Sequence, residues 1–498
     1  MNEALSIRQA LAKYNKIIQP IKGSSMLPML DEDKDAVELV AVTGTLKKYD
    51  LPLFHRRNGQ LVLHRVIAVK KNHYLICGDN SMEVEKVPRE RILAVATGFY
   101  KDGRYVSCQD EDYLAYVQER WKDFSSREII RKIPNDWKAV LSLYRMAVTG
   151  REEEIPISKN LNWESVYAHC KKQMIGATVY PILDKTSCPE SLKKKFARLH
   201  QQNLHRWLLF QAEREAIYQE LESRSIPHMS LKGILLAPMY PALGMREMAD
   251  NDILIRSEDA QILDGYMTQR GYKSKPGWIH VSYHKKPFLN FEFHTSLTYE
   301  KQAEAGFSQV WERACPIKES GLEFKMSDED VYLHAVAHFH KHYVRSGAGI
   351  RAFADLYLLR KQNKLYDTQY IQQKLEEMGL REFAEFFEKT AQQIFDGNVE
   401  EIPMDTLQYL FDSGAYGTVE NRARNAIARK GAGKYFWSRV FLPYTNMCKD
   451  YPCLIKWPVL LPVFWVVRLV RSAFDNQKRR KMKIELSALR EKKNKKNG

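Results

Sequence analysis

Apolar and polar residues alternate in short runs over the first hundred residues, which is the pattern of β-strands. The runs are rich in Val, Ile and aromatic residues, and charged or Gly-containing turns separate them. They cover residues 36–42, 60–69, 73–78 and 92–100. The pattern predicts a small all-β unit over roughly residues 20–107, and the charged segment 110–130 that follows has the composition of a linker helix.

The apolar period changes to three and four residues at about residue 134, which indicates helices. The period is clearest over 137–148 and 192–225, and the second helix should end at Ile226-Pro227 because the residue before proline disfavours helix. A helix, a strand, a second helix and a second strand are then predicted over residues 232–240, 252–255, 258–270 and 289–294. Residues 327–395 and part of 434–498 return to the helical pattern.

Length and charge limit the classes of protein. The chain of 498 residues suits about three domains, and its 44% hydrophobic and 28% charged residues are typical of a globular protein. The net charge is +16, but the tail 478–498 holds ten Lys and Arg against Glu485 and Glu491 and supplies half of it. The body is only mildly basic, so nucleic acid is not an expected partner.

Cysteine usage and the longest apolar run predict a cytoplasmic protein. The seven cysteines form no CxxC pair, and the N-terminus has no apolar segment of the signal-peptide kind. The apolar run 457–467 contains two prolines and is shorter than the roughly 20 residues that span a bilayer. With the basic tail it suits a packed helix with a solvated basic end, and contact with a membrane surface or with RNA are the open alternatives.

Ser, His and Asp occur in order in the predicted β unit, and they are the residue types of a nucleophile, a base and an orienting acid. Ser25 lies within Gly23–Leu30, His64 is followed by Arg-Val-Ile, and Asp79 stands between Gly and Asn. These strings resemble the signal peptidases and the related LexA-like self-cleaving serine peptidases. The resemblance covers roughly residues 20–100.

This resemblance implies Ser25 as the nucleophile and His64 as the base. The acid partner of His64 is open between Asp79, Glu83 and Glu85. Since no membrane helix precedes the serine string, we expect cleavage of a peptide client or of the chain itself rather than processing at a membrane.

Carboxylates cluster in the middle of the chain. Asp250 and Asp252 stand two residues apart at the start of a predicted strand, so both face one side of it. Converging carboxylates repel unless a cation lies between them, and Mg²⁺ suits carboxylates and phosphates. Glu292 lies between Phe291 and Phe293 in a second predicted strand and is the third expected ligand. Three carboxylates can hold two Mg²⁺ ions for in-line attack on a phosphate.

A longer string includes this cluster. It runs from Lys232-Gly233 through Tyr240 and Arg246 to the two aspartates, and it resembles the bacterial uncharacterised nucleotidyltransferase family of the polymerase-β-like superfamily. The likeness continues through 338–356 and 451–468. It implies transfer of a nucleotidyl group from an NTP, with ATP as the expected donor, to an unknown acceptor such as a peptide or protein client.

The resemblance also assigns residues. The implied metal ligands are Asp250, Asp252 and Glu292, and the implied nucleotide contacts are Lys232, Gly233 and Arg246. We expect His294 to have a structural role or to support the metal ligands. We expect His338 and His342 to pack in the core or to line a substrate cleft.

The chain is therefore predicted to be an α+β multidomain, bifunctional bacterial enzyme. We expect a signal-peptidase-like domain over 1–108 and a linker helix over 109–133. A nucleotidyltransferase α/β core with helical flanks should follow over 134–400, and a helical C-terminus with a basic tail over 401–498. The alternative is a non-catalytic regulatory protein, in which the first domain docks a peptide and the transferase fold only holds nucleotide.

Overall fold

The computed structural model describes residues 3–32, 34–56, 60–124, 132–151, 161–277, 279–362 and 367–475, with 479, 482, 484 and 485. The chain forms two compact units, residues 1–135 with 157–161 and residues 136–156 with 162–498. Within the described ranges, no helix has the length and apolar character needed to cross a bilayer. The architecture is the predicted mixed α+β one, rich in sheet at the N-terminus and helical toward the C-terminus.

Strands dominate the first unit. Its elements are α1 (Glu3–Tyr14), β1 (Lys16–Pro20), β2 (Ala36–Val40), β3 (Pro52–His55), β4 (Leu61–Leu63), β5 (Arg65–Val69), β6 (His73–Cys77), β7 (Glu85–Pro88), β8 (Ile92–Lys101), β9 (Arg104–Ser107) and α2 (Glu111–Arg120). The larger sheet has the order β1-β2-β8-β3-β4 with β9 beside β8, and the smaller sheet has the order β5-β6-β7.

Two features of this unit differ from the pattern-based prediction. The run 60–69, predicted as one strand, is two strands, because the chain leaves the larger sheet after β4 and enters the smaller sheet with β5. The predicted linker segment forms α2, whose Tyr113 and Val117, together with Trp121, pack in the core of the first unit. Apolar and polar residues keep alternating where the chain passes from one sheet to the other, so the sequence pattern alone does not reveal the change of sheet.

The second unit begins with helices and continues with a mixed sheet. Its elements up to the end of the sheet are α3 (Asn135–Thr149), α4 (Trp163–Lys172), α5 (Gly176–Val179), α6 (Glu190–Ser223), β10 (His228–Leu231), α7 (Gly233–Leu236), β11 (Asn251–Ile255), α8 (Ala260–Gln269), β12 (Lys273–Pro276), β13 (His280–Lys285), β14 (Leu289–His294), α9 (Lys301–Ala305), α10 (Val310–Arg313), β15 (Cys315–Pro316) and β16 (Glu323–Lys325). The strand order is β12-β13-β14-β11-β10-β16-β15, and β11 runs parallel to β14.

Helices make up the rest of the second unit. They are α11 (Asp328–Arg345), α12 (Arg351–Lys361), α13 (Thr368–Glu377), α14 (Arg381–Asp396), α15 (Met404–Ser413), α16 (Val419–Lys430), α17 (Ala432–Val440), α18 (Tyr444–Asp450), α19 (Cys453–Lys456) and α20 (Leu461–Phe474). On one face of the sheet, Ile253, Phe291 and Phe293 pack in a core with residues of α6 and α8. Side chains that alternate with these three must point to the opposite face.

Candidate active sites

The carboxylates of the second unit meet on that opposite face. Asp252 of β11 lies directly opposite Glu292 of β14, and Asp250 precedes Asp252 by two residues. All three line a cavity of about 400 Å³. The alternation of Phe291, Glu292 and Phe293 therefore places the two aromatic rings in the core and the carboxylate in the cavity.

The two aspartates differ in their electrostatic surroundings. The Lys232 Nζ lies 2.6 Å and the His294 Nε2 2.8 Å from the Asp252 Oδ1. Burial opposes ionisation of Asp252, but the Lys232 charge and the bond to His294 hold its pKa well below its ordinary value. Burial, followed by the charge of Asp252, raises the pKa of Asp250 to about 7. Concentrated negative charge of this kind is suited to a cation.

A strained turn delivers Lys232 to the site. Lys232 follows β10 with φ +48° and ψ −115°, a conformation that costs a non-glycine residue about 1–3 kcal/mol. The next residue is glycine, and a Cβ there would lie 2.7 Å from the Arg246 Nη1 and 3.1 Å from the Met248 Cε, so either end group would have to shift. Gly233 thus lets the turn approach the loop that carries Arg246.

The structure places Arg246 in a buried ion pair. Its Nε and Nη2 each lie 2.8 Å from an oxygen of Asp355, and the Tyr240 hydroxyl donates to the same carboxylate at 2.9 Å. Two of the three guanidinium nitrogens are thereby used. The Nη1, on the Gly233 side, is the nitrogen that could meet a phosphate.

The loop 244–248 is held by side chains that sequence reasoning missed. The Asn203 amide donates to the carbonyl oxygens of Gly244 at 2.7 Å and Arg246 at 2.9 Å, and its Oδ1 accepts from the Met248 N–H at 3.3 Å. Arg206 donates to the Met248 carbonyl oxygen at 3.1 Å. A lone Asn in a long amphipathic helix carries no sequence signal for this function.

One face of α11 supplies basic side chains to the same cavity. The residues are spaced by three and four, and they are His334, His338, Lys341, His342 and Arg345. Burial lowers the pKa of His334 to about 3 and of His342 to about 4, so these rings are neutral at pH 7. Burial, with the Lys232 charge, lowers the pKa of Lys341 to about 8. Cationic and neutral donors therefore line the cavity together with the carboxylates, as a bound triphosphate requires.

In the first unit, His64 lies between β4 and β5. Its Nδ1 is 3.3 Å from the Glu85 Oε1, and Glu85 is held by Arg56 at 2.8 and 2.7 Å. Burial lowers the pKa of His64 to about 4, so the ring is neutral at pH 7, as a general base requires. Of the three carboxylates that the sequence left open, Glu85 is the one placed beside the His64 ring.

Asp79 lies in a buried cluster with Arg65 and Trp121. Both of its carboxylate oxygens are bound by Arg65, at 2.8 and 2.7 Å, and the Trp121 Nε1 donates to one of them at 3.1 Å. The aspartate is fully buried in this cluster. Its contacts with Arg65 and Trp121 tie β5 to the segment after α2. Asp79 as the acid partner of His64 therefore stays a prediction, and Glu85 is the carboxylate beside the His64 Nδ1.

The neighbours of Asp79, Gly78 and Asn80, contact the backbone of the serine loop. A Cβ on Gly78 would lie 2.6 Å from the Ser25 carbonyl oxygen and 3.0 Å from the His64 Nε2. The Asn80 N–H donates to the Ser25 carbonyl oxygen at 2.8 Å, and its side-chain amide donates to the Ser24 carbonyl oxygen at 3.0 Å. The Gly-Asp-Asn string thus positions the serine loop against the histidine.

Comparison with known proteins bears on the second unit. Residues 159–396 match the profile of a family described as an uncharacterised nucleotidyltransferase. This segment, slightly under half of the chain, begins just before α4, ends with α14 and contains the mixed sheet and its carboxylates. No curated protein and no solved structure shows a significant match to the chain. The match supports the predicted nucleotidyltransferase module, and the peptidase module stays a prediction.

Proposed function

We propose that the second unit transfers a nucleotidyl group from an NTP, with ATP as the expected donor, to a hydroxyl, amine or phosphate acceptor. The observation that carries the proposal is the direct opposition of Asp252 and Glu292 on neighbouring strands, with Asp250 beside them, in a cavity with a basic side. The family match over 159–396 agrees with it.

The chain's own residues divide the work between cation and phosphate. Oxygens of Asp250, Asp252 and Glu292 would hold a divalent cation, and Mg²⁺ is the cation that the sequence predicts. When bound, that cation polarises the phosphate under attack and activates the acceptor oxygen or nitrogen. Lys341 and Arg345 line the same cavity, where they would supply positive charge and orient the triphosphate for in-line attack.

The test is transfer of label from each α-³²P-labelled NTP, with a divalent cation and fractionated cell extract as the acceptor. The variant Asp250→Asn/Asp252→Asn should lose transfer by about 10²–10³-fold, because the charge that holds the cation is gone. Glu258→Gln, an exposed acid six residues beyond Asp252, is the matched control. Nucleotide binding without turnover of any NTP would support the non-catalytic alternative and overturn the transferase.

We propose that the first unit cleaves a peptide bond with Ser25 as the nucleophile. The Ser25 carbonyl oxygen and the His64 Nε2 both lie beside the Cα of Gly78, and the Glu85 Oε1 is 3.3 Å from the His64 Nδ1. In this arrangement the His64 Nε2 takes the Ser25 proton as the hydroxyl attacks the peptide carbonyl, and it returns the proton to the leaving amine. Water then releases the acyl group from Ser25.

The neighbouring serine provides the control for this proposal. Mass spectrometry of a peptide library incubated with the protein should detect cleavage by the wild type and by Ser24→Ala, and none by Ser25→Ala. If the wild type bound peptides without cutting them, and Ser25→Ala bound them equally, the docking alternative would replace the peptidase.

We propose a third property, contact of the C-terminal helices with an anionic membrane surface. Val459, Val463, Val466 and Val470 follow helical spacing and are 52–78% exposed, and Trp457 is 63% exposed. The exposed Lys456 and Arg471 add positive charge near these apolar residues, and the sequence 478–498 is itself strongly basic. An apolar face bordered by basic residues is complementary to anionic headgroups.

Vesicle sedimentation tests this contact. The wild type should sediment with phosphatidylglycerol-containing vesicles more than with phosphatidylcholine vesicles, and less at about 0.5 M salt. Val466→Asp/Val470→Asp should abolish sedimentation, whereas Ile262→Asp, which changes an exposed residue of α8, should not. Equal recovery of the wild type in the supernatant with both kinds of vesicle would refute the contact.

A further inference from the structure

Two imidazoles converge on the third carboxylate of the transferase cavity. Among the described residues, the His, Cys, Asp and Glu side chains whose ligand atoms all lie within 4.8 Å of one another are His280, Glu292 and His294. The Nε2 atoms of both histidines are 3.7 Å from the same oxygen, the Glu292 Oε2. The antiparallel pairing of β13 and β14 produces this arrangement, because His280 lies opposite His294.

The spacing of these atoms is that of ligands around one ion. Donors that each bind an ion at about 2.0–2.2 Å lie about 3–4 Å apart. The distance of 3.7 Å is too long for a hydrogen bond between the histidines and Glu292. The His294 Nε2 is also 2.8 Å from the Asp252 Oδ1, which connects the cluster to the aspartates.

The donor types bear on the identity of the ion. Mg²⁺ prefers oxygen ligands and retains its water molecules, whereas imidazole nitrogen favours ions of the first transition series. Imidazole favours ions of the first transition series in general, and Mn²⁺ is the member of that series that shares with Mg²⁺ a preference for carboxylate and phosphate oxygens.

We propose that His280, Glu292 and His294 form a site that selects a first-row transition ion such as Mn²⁺ over Mg²⁺. The inference rests on the proposed transferase in one respect, namely that the ion held here serves the same cavity. Its selectivity, however, is a property of binding and requires no turnover.

The experiment measures free Mn²⁺ by electron paramagnetic resonance during titration of the metal-free full-length protein. We expect the wild type to retain Mn²⁺ in about a hundredfold excess of Mg²⁺. His280→Asn/His294→Asn should bind Mn²⁺ at least about tenfold more weakly. His284→Asn changes an exposed histidine of the same strand and should leave Mn²⁺ binding unaltered.

The outcomes separate the two proposals. Equal affinity of the wild type for Mn²⁺ and Mg²⁺ overturns the selectivity, whether or not the double variant folds, and so does unaltered Mn²⁺ binding in a folded double variant. Selective Mn²⁺ binding without label transfer from any NTP supports the site and overturns the transferase. Transfer that Mg²⁺ supports as well as Mn²⁺, with no selective binding, overturns only this inference.

Discussion

At the scale of the residue, single atoms decide whether each site can assemble. Gly78 has no Cβ, and this allows the Ser25 carbonyl oxygen and the His64 Nε2 to approach the same point. Gly233 does the same for Lys232 and the Arg246 loop. The Glu85 carboxylate, fixed by Arg56, is the acid beside His64. The chemistry proposed for each unit therefore depends also on residues that would not themselves react.

Gly78→Ala tests the close approach. The new methyl group would push the serine loop from His64, so we expect about a 10²-fold loss of peptide cleavage and a decrease of about 1–3 kcal/mol in the free energy of unfolding. Gly44→Ala is the control, because no atom lies within 4 Å of the Cβ position there. Full cleavage by Gly78→Ala would show that the two residues do not need this contact.

The pH dependence of stability tests the burial of His64. Its pKa is about 4 in the folded protein and near 6.5 when unfolded, so protons favour the unfolded state as the pH falls between these values. Denaturation should show a loss of up to about 3 kcal/mol from pH 6.5 to 4 in the wild type beyond that in His64→Asn. Equal losses in the two proteins would mean that His64 titrates normally.

At the scale of the element, the alternation of apolar and polar residues within a strand was predictable from the sequence, and the order of the strands in the sheets was not. The strand 289–294 and its Phe-Glu-Phe alternation follow from the sequence, and they place Glu292 correctly on the cavity face. The polar strand β13 has no apolar run, so His280 could not be predicted to lie opposite His294. The crossing between sheets at His64 was hidden for a related reason, since the pairing of distant strands sets it.

Asn203→Ala tests how α6 supports the Arg246 loop. The substitution removes three buried hydrogen bonds, so we expect a loss of about 2 kcal/mol in the free energy of unfolding and weaker nucleotide binding. Calorimetric titration with a non-hydrolysable NTP would measure the second effect. Gln202→Ala changes the exposed neighbour and should alter neither quantity. If Asn203→Ala bound the NTP with wild-type affinity, the hydrogen bonds that hold the Arg246 loop would not be needed for nucleotide binding.

At the scale of the whole molecule, the two compact units have separate cores and separate candidate chemistry. The family match lies almost entirely within the second unit. A ligand that binds one unit should therefore stabilise that unit, because binding energy adds to the stability of the folded part that holds the ligand.

Scanning calorimetry of the full chain should show two unfolding transitions. Mn²⁺ should raise one midpoint by a few degrees, and Gly78→Ala should lower the other. His280→Asn/His294→Asn should remove the effect of Mn²⁺ and leave the transition lowered by Gly78→Ala in place. A single transition that both changes move would indicate that the units unfold as one body.

The ammonium of Lys232, 2.6 Å from Asp252, has a consequence for life in a cell with changing metal supply. The ammonium compensates the charge of this buried carboxylate, so Asp252 stays paired even if the proposed metal is withdrawn. Proteins whose metal is their only source of charge balance unfold under a chelator. A protein with a tethered cation can instead persist through metal starvation as a folded, idle molecule and resume work when the ion returns.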